Sequence, residues 1–155
     1  VDHKYVFGVQ GYNLKPADLQ GSIGLVQLEK QTEIHHVRRL NKDALTQVFS
    51  QIPGCRVVKE KSHAETSWFG VPIIYDDGKH HLVKYLEEHG VQTRNYFAGN
   101  ILMHPAYKDI EPASNYPNAS KVLDNVFFLG CSPVITMDML DYIDDIVKDY
   151  LKEQK

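Results

Sequence analysis

The chain has 155 residues, 43% of them hydrophobic and 24% charged, and a formal net charge of −3. That is one domain's worth of chain, enough to bury a core. Its charge balance argues against a nucleic-acid partner, since Arg38-Arg39 and the basic residues Lys59 and Lys61 are local clusters and not a stripe. No apolar run approaches the roughly 20 residues of a membrane span, so the composition reads as that of a soluble, cytoplasmic protein.

The opening, VDHKYVFGVQ, is neither a signal nor a transit peptide. It begins without methionine in a Tyr/Phe/Val-rich stretch, and reads as cut from a longer chain. Residues 4–12 are β-formers closed by the turn signal Gly11-Tyr12-Asn13. Pro16 suits the first turn of a helix, and Leu19, Ile23, Leu25, Val26 and Leu28 continue at helical spacing to residue 30. Gly21 and Gly24 cost that helix stability, which predicts a neighbouring backbone packed close to them. A second helix is predicted over 33–49, stopped by Pro53-Gly54. Strands are predicted over 55–60 and over 66–75, where TSWFGVPIIY is rich in aromatic and β-branched residues. After a turn at 76–78, KHHLVKYLEEHG reads as a helix with Gly90 at its C′ position. Residues 91–97 and 125–130 read as strands, with a long loop over 108–120 between them. Thr136 is an N-cap for a last helix, whose stripe of Met139/Leu140, Ile143, Ile146/Val147 and Tyr150/Leu151 reads as core. Strands and helices in this order predict an α+β fold, a small mixed or antiparallel sheet covered by helices.

Eight histidines suggest metal, but His35-His36 and His80-His81 are adjacent pairs that point apart on a helix. There is no HExxH, no Cys/His quartet, no phosphate-binding glycine loop and no nucleophile elbow. Cys55 and Cys131 have no CxxC partner and read as free buried thiols. Two polar spots remain: Tyr12-Asn13 and the stretch from Arg94 to His104. Arg94, Asn100 and His104 would bind an anion or hydroxyls through a planar fork, an amide and an imidazole. Alternatively, Arg94 is a surface residue at a strand end and Asn100 a turn residue.

GYNLKPADLQGSIGLVQLEK, SWFGVPI, GVQTRNYFAGNILMHPAY, YPNASKV and FFLGCSPVITMDMLDYI together resemble the C-terminal part of the DegT/DnrJ/EryC1/StrS family. Its members are vitamin B6-dependent nucleotide-sugar aminotransferases and dehydratases of the aspartate aminotransferase fold. DHKY, TR…FAGN and HPAY are most similar to the branch of 3-dehydratases. That branch removes the 3-hydroxyl of a CDP- or GDP-linked 4-keto-6-deoxyhexose on the way to the 3,6-dideoxysugars of O-antigens. The resemblance implies the C-terminal small domain of a PLP/PMP enzyme. Residues 1–14 would be a connecting segment with an active-site turn, 15–53 a long helical region and 54–155 the α+β small domain.

The resemblance also implies roles. Arg94, Asn100 and His104 would contact the sugar, so an Asn100→Ala exchange is expected to weaken substrate binding more than folding. Asn13 would reach the cofactor phosphate of the neighbouring subunit of a homodimer, and His3 could bring an imidazole to the active site. The residue separating the two activities, lysine in aminotransferases and histidine in 3-dehydratases, would lie upstream of Val1. So would the aspartate that pairs with the pyridine nitrogen and the cysteines that hold an iron–sulfur cluster in some members. Cys55 and Cys131 do not match those cysteines, which leaves the cluster undetermined. Alone, the chain is expected to be inactive. An aminotransferase of the same family, or a non-catalytic α+β binding or dimerisation domain, are the alternatives.

Overall fold

A computed structural model describes residues 12, 17–76 and 78–154. His3, Asn13, Pro16 and the strand expected before Tyr12 lie outside these residues, as does Asp77. The chain forms two compact units, Val1–Thr32 and Glu33–Lys155. In the first, helix α1 (Asp18–Glu29) starts where the Gln20 side chain accepts the Ala17 backbone N–H at 2.8 Å, a reciprocal first-turn bond. Among the described residues a Cβ on Gly21 or Gly24 would meet nothing within 4 Å, so none of them is the close neighbour expected there. Leu19, Leu25 and Leu28 are exposed.

The second unit is built on a sheet of four strands, β1 (Cys55–Val57), β2 (Gly70–Tyr75), β3 (Arg94–Asn95) and β4 (Val126–Gly130), in the order β1-β2-β4-β3. Every pairing is antiparallel, with Arg56 opposite Ile74, Ile73 opposite Phe127 and Arg94 opposite Phe128. Side chains alternate between faces along a strand, and the two faces have different partners. Val71, Ile73, Phe127 and Leu129 join Leu45 and Phe49 of helix α2 (Gln31–Phe49), Leu82 and Leu86 of helix α3 (Lys79–Glu88), and Val147 and Tyr150 of helix α5 (Met137–Glu153). Phe49 meets Phe127 edge-on at 6.2 Å. Each such side chain contributes about 1.5–3 kcal/mol on burial, so this face is the core. Phe128 belongs to the other face. The α+β expectation holds, and the sheet is antiparallel throughout.

The caps predicted from sequence are present. Thr136 Oγ1 accepts the Met139 N–H at the start of α5, and Gly90 follows the last residue of α3 and its cap, His89. The strands are shorter than predicted. Residues 91–93 are taken up in ending α3, where the Val91 N–H donates to the Leu86 carbonyl and the Thr93 hydroxyl to Glu87. Phe97, at φ 50°, ends extended backbone after Asn95. The predicted loop over 108–120 hides the start of a further helix, α4 (Pro117–Asn125), with proline at its first position.

Cys131 is out of solvent's reach, and Cys55 is half-buried. Cys131 is fully buried and donates its S–H to the Arg38 carbonyl. Burial pushes its pKa from an ordinary 9.0 to about 11, and that of Cys55 to about 12. Below pH 9 the thiols are neutral whether the chain is folded or unfolded, and cost nothing. Above it, ionisation favours the unfolded chain, so stability falls as pH rises from about 9 towards about 11. Cys131 is expected to resist Ellman's reagent in the folded chain, Cys55 to react slowly, and both to react at once in denaturant. Rapid labelling without denaturant would contradict this placement.

Candidate functional site: an arginine beside an aromatic platform

The sheet face opposite the core carries a group of aromatic rings. Gly70 makes room for them, since a Cβ there would stand 2.5 Å from Cδ2 of Phe128. Phe128 therefore lies over β2 and meets Phe69 at 5.5 Å between centroids, Phe97 at 6.0 Å and Tyr96 at 6.4 Å. Phe69 and Phe97 are 6.0 Å apart and, unlike Phe128, are more than half exposed. Four rings with two of them open to water form a platform, suited to the flat or C–H-rich face of a ligand.

Arg94 stands beside it. It is exposed, pairs with Phe128 across β3 and β4, and makes no ion pair among the described residues. With Phe69, Gln92, Phe128 and Gly130 it lines a hollow of about 260 Å³. On its other side a wider hollow of about 720 Å³ is shared with Lys79, His80, Glu87 and Asn95. A guanidinium left free beside aromatic faces suits an anionic oxygen, above all a phosphate.

Asn100 and His104 face another way. Asn100 is buried, at 2% exposure. Its amide donates to the Ala113 carbonyl at 3.0 Å and to Ser120 Oγ at 2.9 Å, while its oxygen accepts the Leu102 N–H and starts the short 3-10 turn Ile101–Met103. Donors and acceptor are thus engaged within the chain. His104 Nε2 donates to the Ala98 carbonyl at 2.9 Å. Neither residue lines the two hollows that Arg94 lines. Gly99, at φ +58°, lies against α4, and Lys79 Nζ donates to the Leu123 carbonyl near that helix's end. The structure therefore makes residues 96–123 a tied strap behind the platform, with Arg94 at its entry. Sequence reasoning missed Phe69, Phe97 and Phe128 as site residues, since exposed aromatics in a strand pattern read as core. The signal present was Gly70, a glycine within a strand, which marks close approach.

The strap has no fit for a resident cofactor. Lys79 is the one buried lysine among the described residues; burial lowers its pKa, but its amine is committed to Leu123. No group of three potential metal ligands occurs among them, and no helix of theirs is long and apolar enough to cross a membrane.

The DegT/DnrJ/EryC1/StrS aminotransferase family matches residues 1–148. The chain belongs to that family. Within it, the chain is 36% identical to a dTDP-4-dehydro-2,6-dideoxy-D-glucose 3-dehydratase of Saccharopolyspora spinosa, over 97% of this chain and 34% of the relative. It is 32% identical to the lipopolysaccharide biosynthesis protein RfbH of Salmonella typhimurium, over 92% of this chain and 34% of the relative. The solved structure of the E. coli GDP-4-keto-6-deoxy-D-mannose-3-dehydratase with bound hydrated PLP matches with a TM-score of 0.77 at 29% identity, over 94% of this chain and 39% of that one. The family and fold expected from the sequence are thus borne out, and the chain spans about a third of the length of the curated relatives it matches.

Proposed function

We propose that the chain serves as the C-terminal small domain of a PLP/PMP-dependent nucleotide-sugar 3-dehydratase. Its substrate is a nucleotide-linked 4-keto-6-deoxyhexose, and its place is cytoplasmic 3,6-dideoxysugar (O-antigen) biosynthesis. The observation that carries this reading is the unpaired Arg94 beside the Phe69–Phe97–Phe128 platform, in a chain whose relatives include two named sugar 3-dehydratases. The platform takes the apolar face of the ligand and Arg94 its phosphate oxygens, and the strap tied by Asn100 and His104 keeps both in place. The B6 cofactor, which supplies the electron sink for removing the 3-hydroxyl, is held by residues other than those described here. In the same reading Asn13 would reach its phosphate across a homodimer and His3 would bring an imidazole to the active site.

Arg94→Ala in the cofactor-loaded enzyme is expected to raise KM for the nucleotide sugar roughly 10- to 100-fold, the value of a charge-assisted hydrogen bond, with kcat little changed. An unaltered KM would remove Arg94 from the site. Borohydride reduction followed by intact mass separates the dehydratase from the family's aminotransferases. Cofactor bound but not fixed supports the dehydratase, and cofactor fixed covalently to the protein supports an aminotransferase. A protein that binds no cofactor would be a binding or dimerisation domain.

A further inference from the structure

Arg94 needs a fixed base if its guanidinium is to meet an anion in one place, and β3 by itself provides little. The strand is two residues long, lies at the edge of the sheet, and pairs only through Arg94 opposite Phe128 and Asn95 opposite Phe127. Two residues beyond it the backbone turns at Phe97, φ 50°. Short edge elements of this kind fray. On the entry side one side-chain bond opposes fraying: the Thr93 hydroxyl donates to Glu87 Oε1 at 2.7 Å. Thr93 is buried, at 7% exposure, and Glu87 is exposed. A hydrogen bond to an ionised group is roughly twice as strong as a neutral one.

Helix α3 does not need this bond in order to end. It is already closed by Gly90 at φ +76°, by the His89 N–H on the Tyr85 and Leu86 carbonyls, and by the Val91 N–H on the Leu86 carbonyl. Glu87 is badly placed for the helix, since a carboxylate in the last turn opposes the dipole. Its neighbour Glu88 pairs with Lys84, but Glu87 has no ion-pair partner among the described residues. Its carboxylate lines the wider hollow with Arg94 and Thr93 instead. A side chain held where it weakens its own helix, and bonded to the residue that precedes Arg94, serves the strand.

We infer that Thr93 is a positioning residue for Arg94: its bond to Glu87 clasps the start of β3 to the end of α3 and so holds the guanidinium between its two hollows. This rests on the reading of Arg94 as a phosphate contact. Successive side chains on a strand point to opposite faces, so Thr93 is fastened to α3 while Arg94, opposite Phe128, is presented on the platform side. With β3 ordered in advance, binding no longer carries the entropy loss of ordering it.

A double-mutant cycle on the cofactor-loaded enzyme tests this, with Kd for dTDP and for GDP read by calorimetry. Arg94→Ala is expected to raise Kd roughly 10- to 100-fold, and Thr93→Val, which keeps the shape and loses the hydroxyl, roughly 3- to 10-fold. Thr93→Ser, which restores the hydroxyl, should bind within about twofold of the unaltered enzyme. On the Arg94→Ala background Thr93→Val should add less than about twofold, because a residue acting through Arg94 has nothing left to position. Glu87 is exposed and gives a second approach that leaves the core alone. Glu87→Gln keeps the acceptor and Glu87→Ala removes it, while both lose the charge, so Glu87→Ala should bind several-fold more weakly than Glu87→Gln. Suppose Arg94→Ala weakens binding while Thr93→Val does not, or Thr93→Val weakens it equally on both backgrounds, or the two Glu87 variants bind alike. Any of these overturns the positioning role and leaves the Arg94 reading standing. If Arg94→Ala binds as tightly as the unaltered enzyme, or neither probe binds at all, the Arg94 reading falls and the inference with it.

Discussion

Asn100→Ala is expected to destabilise the chain by about 2–4 kcal/mol, a larger effect on folding than on any ligand. The exchange strands three groups at once: the Ala113 carbonyl, the Ser120 hydroxyl and the Leu102 N–H. A buried polar group left without its partner costs about 1–3 kcal/mol, and water entering the half-buried surroundings recovers part of that. The sequence alone pointed the other way, to a substrate contact whose loss would raise KM, because an asparagine behind a glycine in FAGN looks available. In the structure its amide turns inward. Urea unfolding of the variant checks the prediction. Asn100→Asp should cost nearly as much, since it keeps the acceptor for Leu102 but donates nothing to Ala113. A shift below about 0.5 kcal/mol, the range of an ordinary surface exchange, would return Asn100 to the list of direct contacts.

Gly99→Ala is expected to cost about 3 kcal/mol. Two penalties combine: a left-handed backbone at φ +58° carries a strain of order 1–3 kcal/mol for a residue with a side chain, and crowding adds about 1–3 kcal/mol more. The crowding has no easy relief. The new Cβ would stand 2.5 Å from Leu123 Cβ and 2.8 Å from Leu123 Cα, so helix α4 itself must move. Leu123 is also where Lys79 is anchored, so the displacement reaches the start of α3. For a domain of this size the melting temperature should drop by roughly 6–12 °C. Gly99→Asn, which tolerates left-handed backbone, should recover little, because the contact with α4 remains. An unchanged melting temperature would show that the strap does not lie against α4.

What was legible in the sequence was whatever depends on local pattern. The stripe of α5, the Thr136 cap, the Gly90 stop and the second helix ending at residue 49 follow from spacing and capping chemistry, and the structure has them. Strand ends were not legible, because what shortens them is tertiary: Thr93 is drawn to Glu87, and the backbone reverses hand at Phe97. Helix α4 was hidden because Ser114, Asn115, Pro117 and Asn118 all read as turn-formers, whereas Pro117 also suits the first position of a helix and Asn118 its first turn. At the candidate site, residue type singled out both Arg94 and Asn100, but the inward bonds of Asn100 were not legible, since sequence shows which groups a side chain carries but not which way it points. The aromatic platform escaped because a ring on a strand looks alike on either face until the register is known.

The strand order carries a consequence for how the protein is made. β4 lies between β2 and β3 and is the only strand joining them, yet all of residues 76–125 come between β2 and β4 in the chain. Until β4 is added, β2 has β1 on one edge and an unpaired edge on the other, and Val71 and Ile73 have only the helices that precede β4 to cover them. The central strand and α5, which complete their cover, lie some fifty residues and more beyond β2, so closure pairs strands far apart in sequence, a slow route to a sheet. A nascent chain stalled before residue 126 would therefore be a client for chaperones, whereas one extended through α5 holds every element of the core described above.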